Sequence, residues 1–168
     1  AAIESRLQEL DDSLKIIPNF SSARRKKKSD LIPNRVLYML HNSLPYESGG
    51  YATRSHGLLC GVRQNGWDIQ AVTRLAYPLD LTKHHGKSIP PKSEVDGVTY
   101  HRLQPNDVGY GDIPLREYIQ TYAEELHDYV SDLNPSILHG ASNHMNGHAA
   151  NLVAQELGIP SVYEVRGL

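Results

Sequence analysis

Residues 134–168, NPSILHGASNHMNGHAANLVAQELGIPSVYEVRGL, read as strand, helix, strand. A short β-prone run at 136–139 is followed by a helical stretch at 147–157 that stops at Gly158, a residue suited to ending helices. A second β-prone run covers 161–165. Alternation of strand and helix is the signature of parallel strands joined by right-handed crossovers. This βαβ unit therefore predicts an α/β fold.

The same alternation runs back along the chain. Residues 35–40, RVLYML, form an apolar strand. The helix that follows begins near Tyr51, carries Ala52, Ser55, Leu58, Leu59 and Val62 on one face and ends at Gly66. Residues 68–73 give the second strand, and 98–103 a third behind the turn pair Asp96–Gly97. Between them, 75–95 holds Pro78, Pro90, Pro91, Gly86 and the pair His84–His85, and is read as an irregular loop. The strongest helix signal is the stripe Leu115, Ile119, Tyr122, Leu126, Tyr129, Leu133, closed by Pro135. Five strands alternating with helices imply a Rossmann-like, doubly wound, mainly parallel sheet.

Ahead of this domain, Ile3, Leu7, Leu10 and Leu14 mark a helix ended by Pro18, and Arg24, Arg25, Lys26, Lys27, Lys28 form a basic block. The block has no apolar face to bury and reads as a linker able to touch an anionic membrane. Residues 1–30 are thus a helix and basic linker, and 31–168 the domain.

With 168 residues, 39% hydrophobic and 21% charged, the chain has enough apolar material for one core. Its net charge of −2 argues against nucleic acid as the main partner. A single cysteine, Cys60, excludes an internal disulfide and a cysteine-based zinc site, and suits a reducing cytoplasm. The uncharged stretch 133–155 contains three His and four Asn, too polar for a membrane span.

In a doubly wound sheet, ligands bind just beyond the carboxyl ends of strands. Three such places stand out. Gly49, Gly50 and Tyr51 open a helix, where free backbone N–H groups and the helix dipole favour an anion. His139, Ser142 and Asn143 follow the fourth strand and have the short polar side chains that orient hydroxylated ligands. Arg166, two residues beyond Glu164, suits phosphate or carboxylate recognition, or an internal ion pair with that Glu. The triplet His139, His144, His148 invites a zinc reading, but no Glu or Cys completes a metal pattern. No dinucleotide glycine fingerprint or G-x-S-x-G elbow is present, which excludes the common oxidoreductase and serine hydrolase signatures.

Three blocks, RVLYMLHNSLPYESGGYATRSHGLL from Arg35, DGVTYHRL from Asp96 and the closing NPSILHG…VYEVRGL, resemble the N-terminal half of retaining glycosyltransferases of family four. That family has the GT-B architecture of two facing Rossmann-like domains. The ending VYEVRGL resembles bacterial members that assemble surface or exported polysaccharides. The resemblance implies a nucleotide-sugar donor held by a second domain absent from this chain, a glycan or lipid-linked acceptor, and no metal or other cofactor. Gly49, Gly50 and Tyr51 would be the loop near the donor's diphosphate, His139, Ser142 and Asn143 would line the acceptor side, and Arg166 would take the place of a catalytic His. A guanidinium is a poor proton carrier, so its expected role is electrostatic orientation, with little effect on stability when removed. The family's donor signature, Glu-x7-Glu, is matched in spacing by Glu117 and Glu125, but these sit along the amphipathic helix and read as a solvated face. On this reading the chain is one half of an enzyme and inactive alone; a non-catalytic Rossmann-type binding module is the alternative.

Overall fold

The structure, a computed structural model, describes residues 2–20, 26–27, 30–104 and 109–166. Its centre is a six-stranded sheet of order β3-β4-β2-β1-β5-β6. The strands are β1 Ile32–Leu40, β2 Asp68–Thr73, β3 Lys92–Val95, β4 Val98–Arg102, β5 Pro135–Ala141 and β6 Ser161–Glu164. All neighbours are parallel except β3 with β4. The helices are α1 Ala2–Ser13, α2 Gly50–Gln64, α3 Leu115–Leu133 and α4 His144–Leu157. The fold is the Rossmann-like, mainly parallel α/β sheet expected.

Alternation along each strand divides the core into two layers. Leu37, Met39, Val72 and Leu138 face α3 and α4, while Val36, Tyr38, Leu40 and Ala71 face α2. The α3 stripe does the burying its sequence promises: Leu115, Tyr118, Ile119, Tyr122, Leu126 and Val130 are inside, while Glu117 and Glu125 are exposed. α4 lies close to the sheet because Gly140 and Gly147 face each other; a Cβ at Gly140 would come within 2.9 Å of the Asn146 carbonyl oxygen.

Three expectations change. The loop at 75–95 contains a sixth strand, β3, paired antiparallel with β4 across Asp96–Gly97 at φ 48° and 75°. Those dihedrals are the left-handed pair of a tight hairpin turn, for which Asp-Gly is a favoured sequence. α4 starts at His144, three residues earlier than its periodicity suggested, because the Asn143 side chain caps it by accepting from Met145 N at 3.2 Å. Of the basic block, Arg24, Arg25 and Lys28 lie outside the described residues. Lys26 is docked: its backbone N–H donates to Leu157 O and its Nζ to Ser131 O, both at 2.8 Å, where helix ends leave carbonyls unpaired.

Candidate functional site

The parallel strands run outward from β1 in opposite directions, through β2 and β4 on one side and β5 and β6 on the other. The point of reversal is the crevice between β1 and β5. Loops diverge there, and a cavity of about 480 Å³ opens between them. Its walls are His41 and Asn42 after β1, Tyr51 at the start of α2, Ser142, Asn143 and His144 after β5, and Tyr163, Val165 and Arg166 at the end of β6.

The β5 side is a strained turn. Ser142 and Asn143 both adopt positive φ, at 52° and 48°. Such residues persist only where their surroundings fix them. Here buried Asn146 reaches back from α4 to donate to Ala141 O at 2.9 Å and Ser142 O at 3.3 Å, while its Oδ1 accepts from Tyr122 Oη at 3.2 Å. Ser142 N–H donates to Glu164 O at 3.0 Å. Asn146 is a brace, and Asn143 divides its side chain between capping α4 and lining the cavity.

The β1 side is held by Arg74, at the end of β2. Its guanidinium donates to the His41 carbonyl, to Asn42 Oδ1 at 2.9 Å and to Asp80 Oδ2 at 2.6 Å, and lies over the Tyr77 ring. Because Arg74 occupies the Asn42 oxygen, the Asn42 amide presents N–H donors on its remaining side. His41 is kept uncharged: burial, then the charge of Arg74 and His144, lower it to about 3. Its ring stands edge-on to Tyr110.

Arg166 is the best-bonded side chain of the region. Nε and Nη2 grip Glu164 at 2.7 and 3.0 Å, Nη1 donates to Ser55 Oγ at 2.7 Å, and Nη2 also donates to Tyr38 Oη. Tyr38 Oη in turn donates to Glu164 Oε2 at 2.6 Å. Hydrogen bonds from Arg166, with help from Tyr38, hold Glu164 down to about 2. The internal ion pair considered for Arg166 is therefore what forms, and its charge is neutralised within the fold. The Arg166 backbone carbonyl, rather than its side chain, reaches the loop at the start of α2, accepting from Tyr51 Oη at 2.8 Å.

Gly49 and Gly50 stand at the open start of α2. Gly49 is the N-cap, with no side-chain cap, and a Cβ at either glycine would meet nothing within 4 Å. The glycines set no side chain over the first turn, whose Ala52 N–H already donates to Gly49 O at 2.9 Å.

His139 is separated from Ser142 and Asn143. It lies on the α2 face of β5, its ring 4.5 Å from that of Tyr38 across the strand pair, and borders a second, apolar cavity of about 560 Å³ with Leu58, Trp67 and Val162. Its Nε2 is 3.3 Å from Glu164 Oε2. Burial lowers its pKa against the pull of that carboxylate. So the cavity gathers Ser142, Asn143, Tyr51 and Arg166 from the residues singled out in the sequence, and adds His41 and Asn42, which were not. Among the described residues no cluster of three or more His, Cys, Asp or Glu side chains could hold a metal ion. No described helix is long and apolar enough to cross a membrane.

Comparison with known proteins agrees with this arrangement. Two structures of sucrose-phosphate synthase from Thermosynechococcus elongatus share the fold, with TM-scores of 0.54 and 0.56 at 16% and 15% identity. They cover 79% and 80% of this chain, which spans 64% and 33% of theirs. No curated protein matches the chain by sequence. Residues 49–168 match the family described as the glycosyl transferase 4-like domain. The chain belongs to that glycosyltransferase family.

Proposed function

We propose that this chain is the acceptor-side half of a retaining GT-B glycosyltransferase, one that moves a sugar from a nucleotide-sugar donor to a glycan or lipid-linked acceptor. The observation that carries the reading is the character of the switch-point cavity. Its polar wall combines Asn42, Ser142, Asn143 and an uncharged His41, neutral groups that both donate and accept. Hydroxyl-rich ligands need that mixture, and the arginine that lines the cavity, Arg166, is already neutralised by Glu164.

On this reading residues 31–168 form the acceptor domain, residues 1–30 an accessory helix and linker, and a second Rossmann-like domain brings the donor. The accessible start of α2 at Gly49 and Gly50 faces the departing nucleoside diphosphate, whose charge its N–H groups and dipole stabilise. The cavity holds the acceptor hydroxyl against the anomeric carbon, the positional part of catalysis. Arg166 acts through the framework, fixing Tyr38, Ser55 and, by its carbonyl, Tyr51. The scheme needs no metal or other cofactor. Surface-polysaccharide assembly in a bacterial cytoplasm, with the basic block against anionic lipid, is the setting the sequence favours.

Calorimetry and side-chain amide NMR on the 168-residue chain test the reading. UDP- and GDP-sugars should bind no tighter than about 100 µM, and a set of methyl glycosides should shift the Asn42 and Asn143 resonances. Low-micromolar binding of a nucleotide sugar to this chain alone would overturn the division of labour between the two halves.

A further inference from the structure

Three arginines are buried among the described residues, and two of them, Arg74 and Arg166, each hold a carboxylate. The third is Arg102, the last residue of β4. It is only 6% exposed and has no carboxylate in ion-pair reach among the described residues. Its guanidinium donates to Pro90 O at 3.0 Å and to Ser93 Oγ at 2.9 Å, which uses two of its five N–H groups, while Nε is buried without a partner. The Tyr46 ring lies 4.8 Å away over one face. A carbonyl, a hydroxyl and an aromatic face soften a buried charge but do not cancel it. Burial presses against the charged form, with only Tyr46 and Tyr77 pulling the other way.

The side chains around Arg102 lack partners too. His84 stands edge-on to Tyr46 at 5.2 Å, and both of its ring nitrogens are buried and unbonded. Gln104, two residues beyond Arg102 and so on the same side of the chain, buries its amide Nε2 without an acceptor. Buried donors are nearly always bonded, so three such side chains in one neighbourhood mark a place where the fold leaves the acceptors to be supplied. A neutral hydroxyl would meet the donors and leave the charge. A phosphate or carboxylate meets both, in the two-point geometry that suits a guanidinium.

The place is one where ligands gather. β1, β2 and β4 run parallel, so Tyr46 after β1, His84 after β2 and Arg102 at the end of β4 share the carboxyl edge of the sheet. Arg102 lies on the far side of β2 from the switch-point cavity. Glu47 and Lys83, the sequence neighbours of Tyr46 and His84, form an ion pair between the same two loops, with Lys83 exposed. Such a pair opens at little cost, and an arriving anion meets Lys83 first. We propose that Arg102, with His84 and Gln104, binds a phosphate or carboxylate group at a site separate from the cavity. The inference does not depend on the reading of the cavity.

Nitrogen-15 NMR of the arginine Nε–H groups tests it on the 168-residue chain, the Arg102 resonance being the one lost in Arg102→Met. Inorganic phosphate, added against chloride at matched ionic strength, should move that resonance along a saturating curve with a midpoint of about 1 mM and leave the Asn42 and Asn143 amides in place. Glucuronate is the carboxylate arm and glucose the uncharged control. Whichever anion saturates at the lower concentration identifies the group, and glucose should move nothing. About 20 mM of that anion should raise the thermal midpoint by about 4 °C, and Arg102→Met should abolish the rise. His84→Leu, which keeps the guanidinium, should weaken binding about ten-fold, and it decides the matter should Arg102→Met fail to fold. The proposal is overturned if neither anion saturates below about 20 mM, if glucose acts as they do, if the rise survives in Arg102→Met, or if His84→Leu binds as the parent does.

Discussion

Two buried arginines flank the switch-point cavity, and they are held in opposite ways. Arg166 has a partner for each of its three nitrogens, and its carboxylate, Glu164, keeps a quarter of its side chain in water. Arg74 leaves Nε without a protein partner, and its carboxylate, Asp80, is almost fully enclosed with Oδ1 unpaired. Burial raises the pKa of Asp80 in spite of the arginine. The number of hydrogen bonds therefore ranks the two arginines one way and the burial of their partners ranks them the other. A stranded charge is costly in proportion to how dry its surroundings are, so burial should win. Arg74→Met is expected to lose about 3–5 kcal/mol in urea denaturation, the largest effect of any change in this region. Arg74→Met with Asp80→Asn should recover a substantial part, because no isolated carboxylate then remains.

Arg166→Met should cost less, about 2 kcal/mol, since Glu164 can turn toward solvent once released. An Arg166 working in an open cleft, as the resemblance implies, would lose almost nothing. Its bonds to Ser55 and Tyr38, 111 and 128 residues away in sequence, are what change that expectation. If urea denaturation finds Arg166→Met more destabilising than Arg74→Met, the ranking by burial fails.

The same long separations explain what was legible. α3 could be read because its stripe is local, and β5, α4 and β6 because each carries its own period. β3 could not be read from KSEV, which has no apolar run, although the Asp96–Gly97 turn was a signal for a strand on both of its sides. Nearness in sequence groups His139 with Ser142. Strand parity argues otherwise: side chains two apart share a face, so His139 goes with Ile137 and Ala141 toward α2, while the turn at Ser142 points out at the strand end. His41 and Asn42 became part of the site through Arg74, more than thirty residues on, a contact no local pattern encodes.

Acid sharpens the comparison. Glu164 is held down to about 2 against an ordinary 4.5, so the stability it contributes is complete above about pH 4.5 and falls away as the pH drops toward 2. Allowing for its exposed edge, the loss over that window should be about 2 kcal/mol. Asp80 shifts the other way and cannot supply this limb. Glu164→Gln should flatten the acid limb, read as the difference from the parent in urea midpoints at pH 5 and pH 2.5; an unchanged limb would assign the acid sensitivity elsewhere, for instance to Asp68, which is also held low.

The smallest expected effect lies between the two arginines, at the start of α2. Gly50 has open space where a Cβ would go, and helical positions favour alanine over glycine by up to about 1 kcal/mol. Gly50→Ala should therefore leave stability unchanged or slightly raised. That outcome would remove packing and backbone strain as reasons for the glycine and leave access to the N–H groups of the first turn. A loss of more than about 1 kcal/mol would instead make the glycine part of the framework that the arginines hold, and the two sides of the cavity would then have to be treated as a single unit.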